Sequence, residues 1–217
     1  MALVYYTGDW LWKCQSLHET HSYKSNEICE ICFASTSGEF NYCNFAVDAP
    51  YSKHLRSNAT FMASISAQMS PLTAIPGFHI HMSVPECMHA GPLGTGPLLA
   101  GGSLLELADE DFMFGRFDHL TEWKGKLYLQ LAFAYTAFID FCKRGNISSS
   151  QKKFSANMLR MRSRMVTPNL RAKAHNCMVV IDWLSAITAQ QATKNPGNEY
   201  MQIRACALWG FSQFFWV

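Results

Sequence analysis

Charge is scarce in this sequence: Asp, Glu, Lys and Arg make up only 16% of its 217 residues, against 49% apolar. A chain with this much apolar surface and so little charge excludes wholesale disorder and predicts a sizeable core. Long apolar runs are missing too. The longest low-charge helical stretch, residues 127–139, is too short to span a bilayer, which takes about 20 residues. No basic flank precedes an apolar block at the start, so no secretory signal is expected. There is no internal repeat and no low-complexity tract, and the length suits one large domain or two small ones. No Ser or Cys sits in a distinctive elbow, which leaves no nucleophile to argue. Gly94-Thr95-Gly96 with Gly101-Gly102 lacks the spacing of a dinucleotide loop.

What the chain does have is unevenly placed. Residues 1–122 carry 13 acidic and 5 basic side chains, a formal balance of −8. Residues 143–173 carry Lys143, Arg144, Lys152, Lys153, Arg160, Arg162, Arg164, Arg171 and Lys173 and no acidic residue. Half of the 18 Lys and Arg thus fall in one short stretch. Such imbalance points to DNA or another polyanion; a solvated helix face, or a patch pairing with the acidic half, is the alternative.

Patterning predicts an α+β chain: short strands and a loop-rich CxxC segment at the N-terminus, then a mostly helical C-terminal half. Two regions are expected, 1–123 and 124–217. Ala2 to Thr7 alternate as a strand that ends at Gly8-Asp9, with a helix over Trp10 to Leu17. Phe78 to Val84 alternate as a second strand, with Glu86 just beyond it. Pro97 to Leu107 carry helical spacing. Leu127, Leu131, Ala134, Phe138 and Phe141 mark a long helix that stops at Gly145. Ser148 and Gln151 fit a capping box. The helix it would open aligns Phe154, Met158, Met161 and Met165 on a core face, with Lys153, Arg160 and Arg164 together on another. That basic helix would lie along a phosphate backbone through Lys152, Lys153, Arg160, Arg162, Arg164, Arg171 and Lys173, positioning without reading sequence. Pro168 ends it; helices over Arg171 to Gln191 and Asn198 to Phe215 follow.

Eight cysteines with uneven spacing and one CxxC favour reduced thiols or a metal over a disulfide framework. His18, His21, Cys29 and Cys32 supply four ligands within fifteen residues, a set that structural zinc takes, with Cys43 and His54 as substitutes. Buried, hydrophobe-like cysteines are the alternative. Asn58-Ala59-Thr60 is a formal glycosylation triplet, idle without a secretory signal.

Several short stretches, in this order, resemble a large transposase-like family repeated in dinoflagellate genomes. They include Cys29-Glu30-Ile31-Cys32, Ile75-Pro76-Gly77, Glu86-Cys87-Met88-His89 with Leu93-Gly94-Thr95, Lys173-Ala174-His175-Asn176-Cys177 and Ala207-Leu208-Trp209. The resemblance implies a ribonuclease-H-like fold. Its carboxylates stand at strand ends, here Asp9 and Glu86 with His89 nearby, and clamp two magnesium ions for phosphodiester chemistry. Glu86 stands where the family pattern prefers Asp, and the third carboxylate has no clear counterpart, Asp182 and Glu199 being in no telling context. The expectation is therefore a mobile-element-derived, DNA-binding domain defective in catalysis, nuclear in location. A non-enzymatic subunit of a larger assembly, docked through the basic helix and the aromatic tail Trp209 to Trp216, is the rival.

Overall fold

A computed structural model describes residues 5–21, 25–65, 69–110 and 113–215. The chain is α+β, with two short strands near the N-terminus and a helical C-terminal half. It divides into two compact units, residues 1–86 and 87–217. The division falls well before the boundary at 123 that the sequence pattern suggests. Residues 87–110 join the helical unit because they are helical themselves.

In the first unit, strand β1 (Tyr6–Gly8) pairs in parallel with β2 (Ser83–Pro85), in the register Tyr6↔Ser83, Thr7↔Val84 and Gly8↔Pro85. The second strand is thus shorter and later than expected, since Ile80–Met82 winds into a 3-10 turn. Residues 2–4 of the first expected strand lie outside the described residues. Helix α1 (Trp10–Leu17) starts where Asp9, in extended backbone, accepts a bond from the Trp12 amide at 2.7 Å. This is an N-cap, which satisfies one of the amides orphaned by a helix start. Helix α2 (Pro50–Lys53) is one turn, and Ser57 caps α3 (Asn58–Ser64). The Asn58 amide brackets two backbone positions: Nδ2 donates to Phe78 O at 2.9 Å and Oδ1 accepts from the Ile80 amide at 2.8 Å. Leu17, Phe61, Ile65, Phe78 and Ile80 form a small core around this bracket.

The second unit opens with α4 (Cys87–Ala90), a π turn over Gly91–Thr95 and α5 (Gly96–Leu105), and a second π turn follows. Small residues in α5 admit another backbone. A β-carbon at Gly101 would lie 3.0 Å from the carbonyl of Pro168, and the Leu170 amide donates to Pro97 O at 2.9 Å. Three long helices complete the unit: α6 (Trp123–Gly145), α7 (Ala174–Lys194) and α8 (Glu199–Phe215). Asn146, with φ of 50°, closes α6 in the left-handed region that such a cap requires. Trp183 is fully buried on α7, its ring within 6 Å of those of Phe114, Phe138 and Phe154.

The basic helix expected after Ser148 does not form; residues 146–173 run as an irregular strap. Asn176 Oδ1 accepts from the Ser150 amide at 3.1 Å and from Ser149 Oγ at 3.3 Å, so the expected capping segment is bonded to α7 instead. Such side-chain bonds to backbone compete with helix. Arg160 has φ of 54°, outside the helical region. Phe154, Leu159, Met161 and Leu170 enter the core one at a time, whereas Met165 is 93% exposed. The helical spacing of Phe154, Met158, Met161 and Met165 therefore does not mark a single buried stripe.

Candidate nucleic-acid interface and carboxylate pair

Because Gly8 and Pro85 are register partners, Asp9 and Glu86 leave the ends of two adjacent parallel strands. Neighbouring strands run about 4.8 Å apart, which starts the two carboxylate residues side by side. Both are half-buried. Asp9 is also committed locally as the cap of α1. His89 lies on α4, in the unit that begins after Glu86, and is exposed.

The four expected zinc ligands are not gathered. Among the described residues no three His, Cys, Asp or Glu side chains group so as to hold a metal ion. Cys29 and Cys32 do meet, the Cys32 amide donating to Cys29 Sγ at 3.4 Å, and burial pushes the Cys29 thiol up to about 11. His18 is the left-handed residue that ends α1. His21 is buried, with its Nε2 3.5 Å from Glu27, and burial followed by the Arg56 charge lowers its pKa.

An arginine organises the loop instead. Arg56, only 3% exposed, donates from Nη2 to Glu27 at 2.5 Å and from Nε to Cys32 O at 3.0 Å, and covers the Phe33 ring at 4.3 Å. A guanidinium can do all three at once because it is planar with donors fixed in a fork. Its hydrogen bond holds the Glu27 carboxyl below the usual range.

Sequence reasoning also missed a second ionic centre. Lys13, 6% exposed, donates from Nζ to Glu30 and to Ser83 Oγ, both at 2.7 Å, and Ser83 Oγ lies 3.2 Å from the same Glu30 oxygen. Burial works against the Glu30 charge, but the Lys13 bond and charge prevail and depress its pKa. Glu19 is the contrary case. Burial, reinforced by the Glu30 charge, pushes its carboxyl up to about 7, and its Oε1 has no partner among the described residues. The Ser83–Lys13 contact thus buttresses the ion pair between Lys13 and Glu30. The one available signal was Glu30 inside the CxxC; nothing marked Lys13 or Ser83.

In the second unit every basic residue from 143 to 173 is exposed: Lys143, Arg144, Lys152, Lys153, Arg160, Arg162, Arg164, Arg171 and Lys173. Arg164 pairs with Asp109 at 2.9 Å while remaining 65% exposed. The charges are thus carried by the last turn of α6 and by the strap, with no helix beneath most of them. Further along, Tyr200, Ile203, Trp209 and Phe214 of α8 are more than half exposed, while Phe211 packs on the core. Trp216 lies outside the described residues.

Against known proteins, no family model, curated protein or solved structure matches this chain.

Proposed function

We propose that this chain is a transposase-like, mobile-element-derived domain that binds DNA through residues 143–173 and does not catalyse strand chemistry. Nine exposed cations in a segment without one carboxylate carry the binding half of this proposal. Charges of that kind gain affinity by releasing counterions from the phosphate backbone, and give little sequence preference.

The juxtaposed strand ends bearing Asp9 and Glu86 support the transposase-like ancestry. A magnesium ion bound there would be held by those two carboxylates and would supply Lewis acidity toward a phosphodiester. Loss of catalysis is proposed because Asp9 serves as a helix cap and Glu86 replaces the shorter Asp.

Fluorescence anisotropy with a labelled duplex tests the proposal. Micromolar or tighter binding that weakens steeply with salt is expected, together with no cleavage in magnesium. Absence of binding at low salt would overturn it. The rival, a non-enzymatic subunit docked on a larger assembly, is favoured by the apolar stripe Tyr200, Ile203 and Phe214 on α8. Exposed large apolar side chains of this kind suit a contact with a partner.

A further inference from the structure

Part of the strap and the start of α7 enclose a recess of about 290 Å³, lined by Ser150, Lys152, Met158, Arg171, Lys173 and Asn176 among others. Three of these are cations, and no carboxylate lines the recess. Surface cations usually point apart into solvent, so three on one small cavity focus positive potential there.

A second observation concerns the wall. Asn176 is 5% exposed, and both of its polar atoms are bonded to the strap: Oδ1 accepts from the Ser150 amide, and Nδ2 donates one hydrogen to Ser150 Oγ at 3.0 Å. These bonds fix the Asn176 amide as a rigid part of the recess wall. The first turn of the 21-residue α7 adds to this. Lys173 stands at its N-cap position and offers no capping side-chain bond, so the positive end of the helix is left open to an anion.

We infer that this recess seats one phosphate of a nucleic-acid backbone, between Lys152, Arg171 and Lys173 and against the buried amide of Asn176. The inference rests on the DNA-binding proposal and specifies where a phosphate is gripped. The volume is at the lower bound of small-molecule pockets, about 300 Å³, which suits a phosphate group better than a whole nucleotide. The remaining cations of the segment lie just before and within the same strap, which suits a linear polyanion over an isolated anion.

The test compares the whole chain with two double variants of equal charge loss, Arg171→Gln with Lys173→Gln in the recess and Lys143→Gln with Arg144→Gln outside it. All four side chains are exposed, so both variants should keep the fold, which circular dichroism checks. Inorganic phosphate, matched against chloride, should raise the melting temperature of the wild type and the outer variant and not of the recess variant. At equal salt the recess variant should bind a labelled duplex roughly tenfold more weakly than the outer variant. Its salt slope should fall by about 0.9 for each phosphate it no longer neutralises. Equal weakening of both variants, with an unchanged phosphate response, would overturn the recess while leaving DNA binding in place. A recess-dependent phosphate response without any duplex binding would overturn the nucleic-acid assignment and keep the phosphate seat.

Discussion

Among the described residues the first unit buries five apolar side chains together, and the second buries twenty-one. Buried charge is distributed the other way. Lys13, Glu19, His21 and Arg56 are buried in the first unit, Arg204 in the second. The first unit therefore relies on ion pairs and hydrogen bonds to organise loops that a small core cannot, while the second relies on packed rings. Ion pairs respond to pH and cannot lose one partner cheaply; a packed core is indifferent to pH and sensitive to a reduction in volume.

Trp183→Ala should give the largest effect, about 4 kcal/mol of destabilisation in chemical denaturation, because a fully buried indole leaves a cavity among Phe114, Phe138 and Phe154. Hydrogen exchange should show the weakening in α6 and α7. Next comes Lys13→Ala, at about 3 kcal/mol, since it strands the Glu30 carboxylate. The double change Lys13→Met with Glu30→Leu should recover most of that. If the single and double variants are equally unstable, packing and not charge holds this centre.

The pH dependence separates the units further. Glu19 titrates near 7 when folded and near 4.5 when unfolded, so folding favours its protonated form. Its penalty is absent below pH 4.5 and grows as pH rises through 7. Replacing it with Gln should stabilise by up to about 3 kcal/mol at pH 8 and by little at pH 4, read from denaturant midpoints. Glu27 and Glu30 have depressed values and act oppositely, their contribution disappearing as pH falls through them. Asp9→Ala should cost about 1 kcal/mol and Asp9→Asn almost nothing if the side chain is only a cap. A magnesium-dependent rise in melting temperature that Asp9→Asn abolishes would show that the carboxylate also binds metal. Smallest of all, Phe214→Ser should shift stability by no more than about 0.5 kcal/mol, because the ring is 74% exposed.

Legibility from sequence followed the same divide. Helices α6, α7 and α8 were readable because apolar residues recur at helical spacing over many turns. Strand β1 was readable in place, whereas β2 starts five residues after the alternation at Phe78, because Ile80–Met82 turns instead. The strap misled because Phe154 and Met161 are buried at helical spacing by coincidence, while Asn176, 26 residues beyond Ser150, competes for its backbone. The basic segment was legible by count; its recess was not, since Lys152 and Arg171 are joined only by the fold. Lys13 meets Ser83 across 70 residues and Arg56 meets Glu27 across 29, distances at which no local pattern speaks. Around the CxxC, nothing local marked Arg56, 24 residues beyond Cys32, as the side chain that bonds its carbonyl.

The missing side chain at Gly101 has a reach beyond its own helix. A methyl there would press on Pro168 and the Asn169 amide, and these lead within three residues to Arg171. A mutation from Gly to Ala inside α5 would therefore reshape the charged surface without altering a single charge. Drift in the interior of this unit can retune or silence its exterior, and a survey of surface residues alone would find nothing changed.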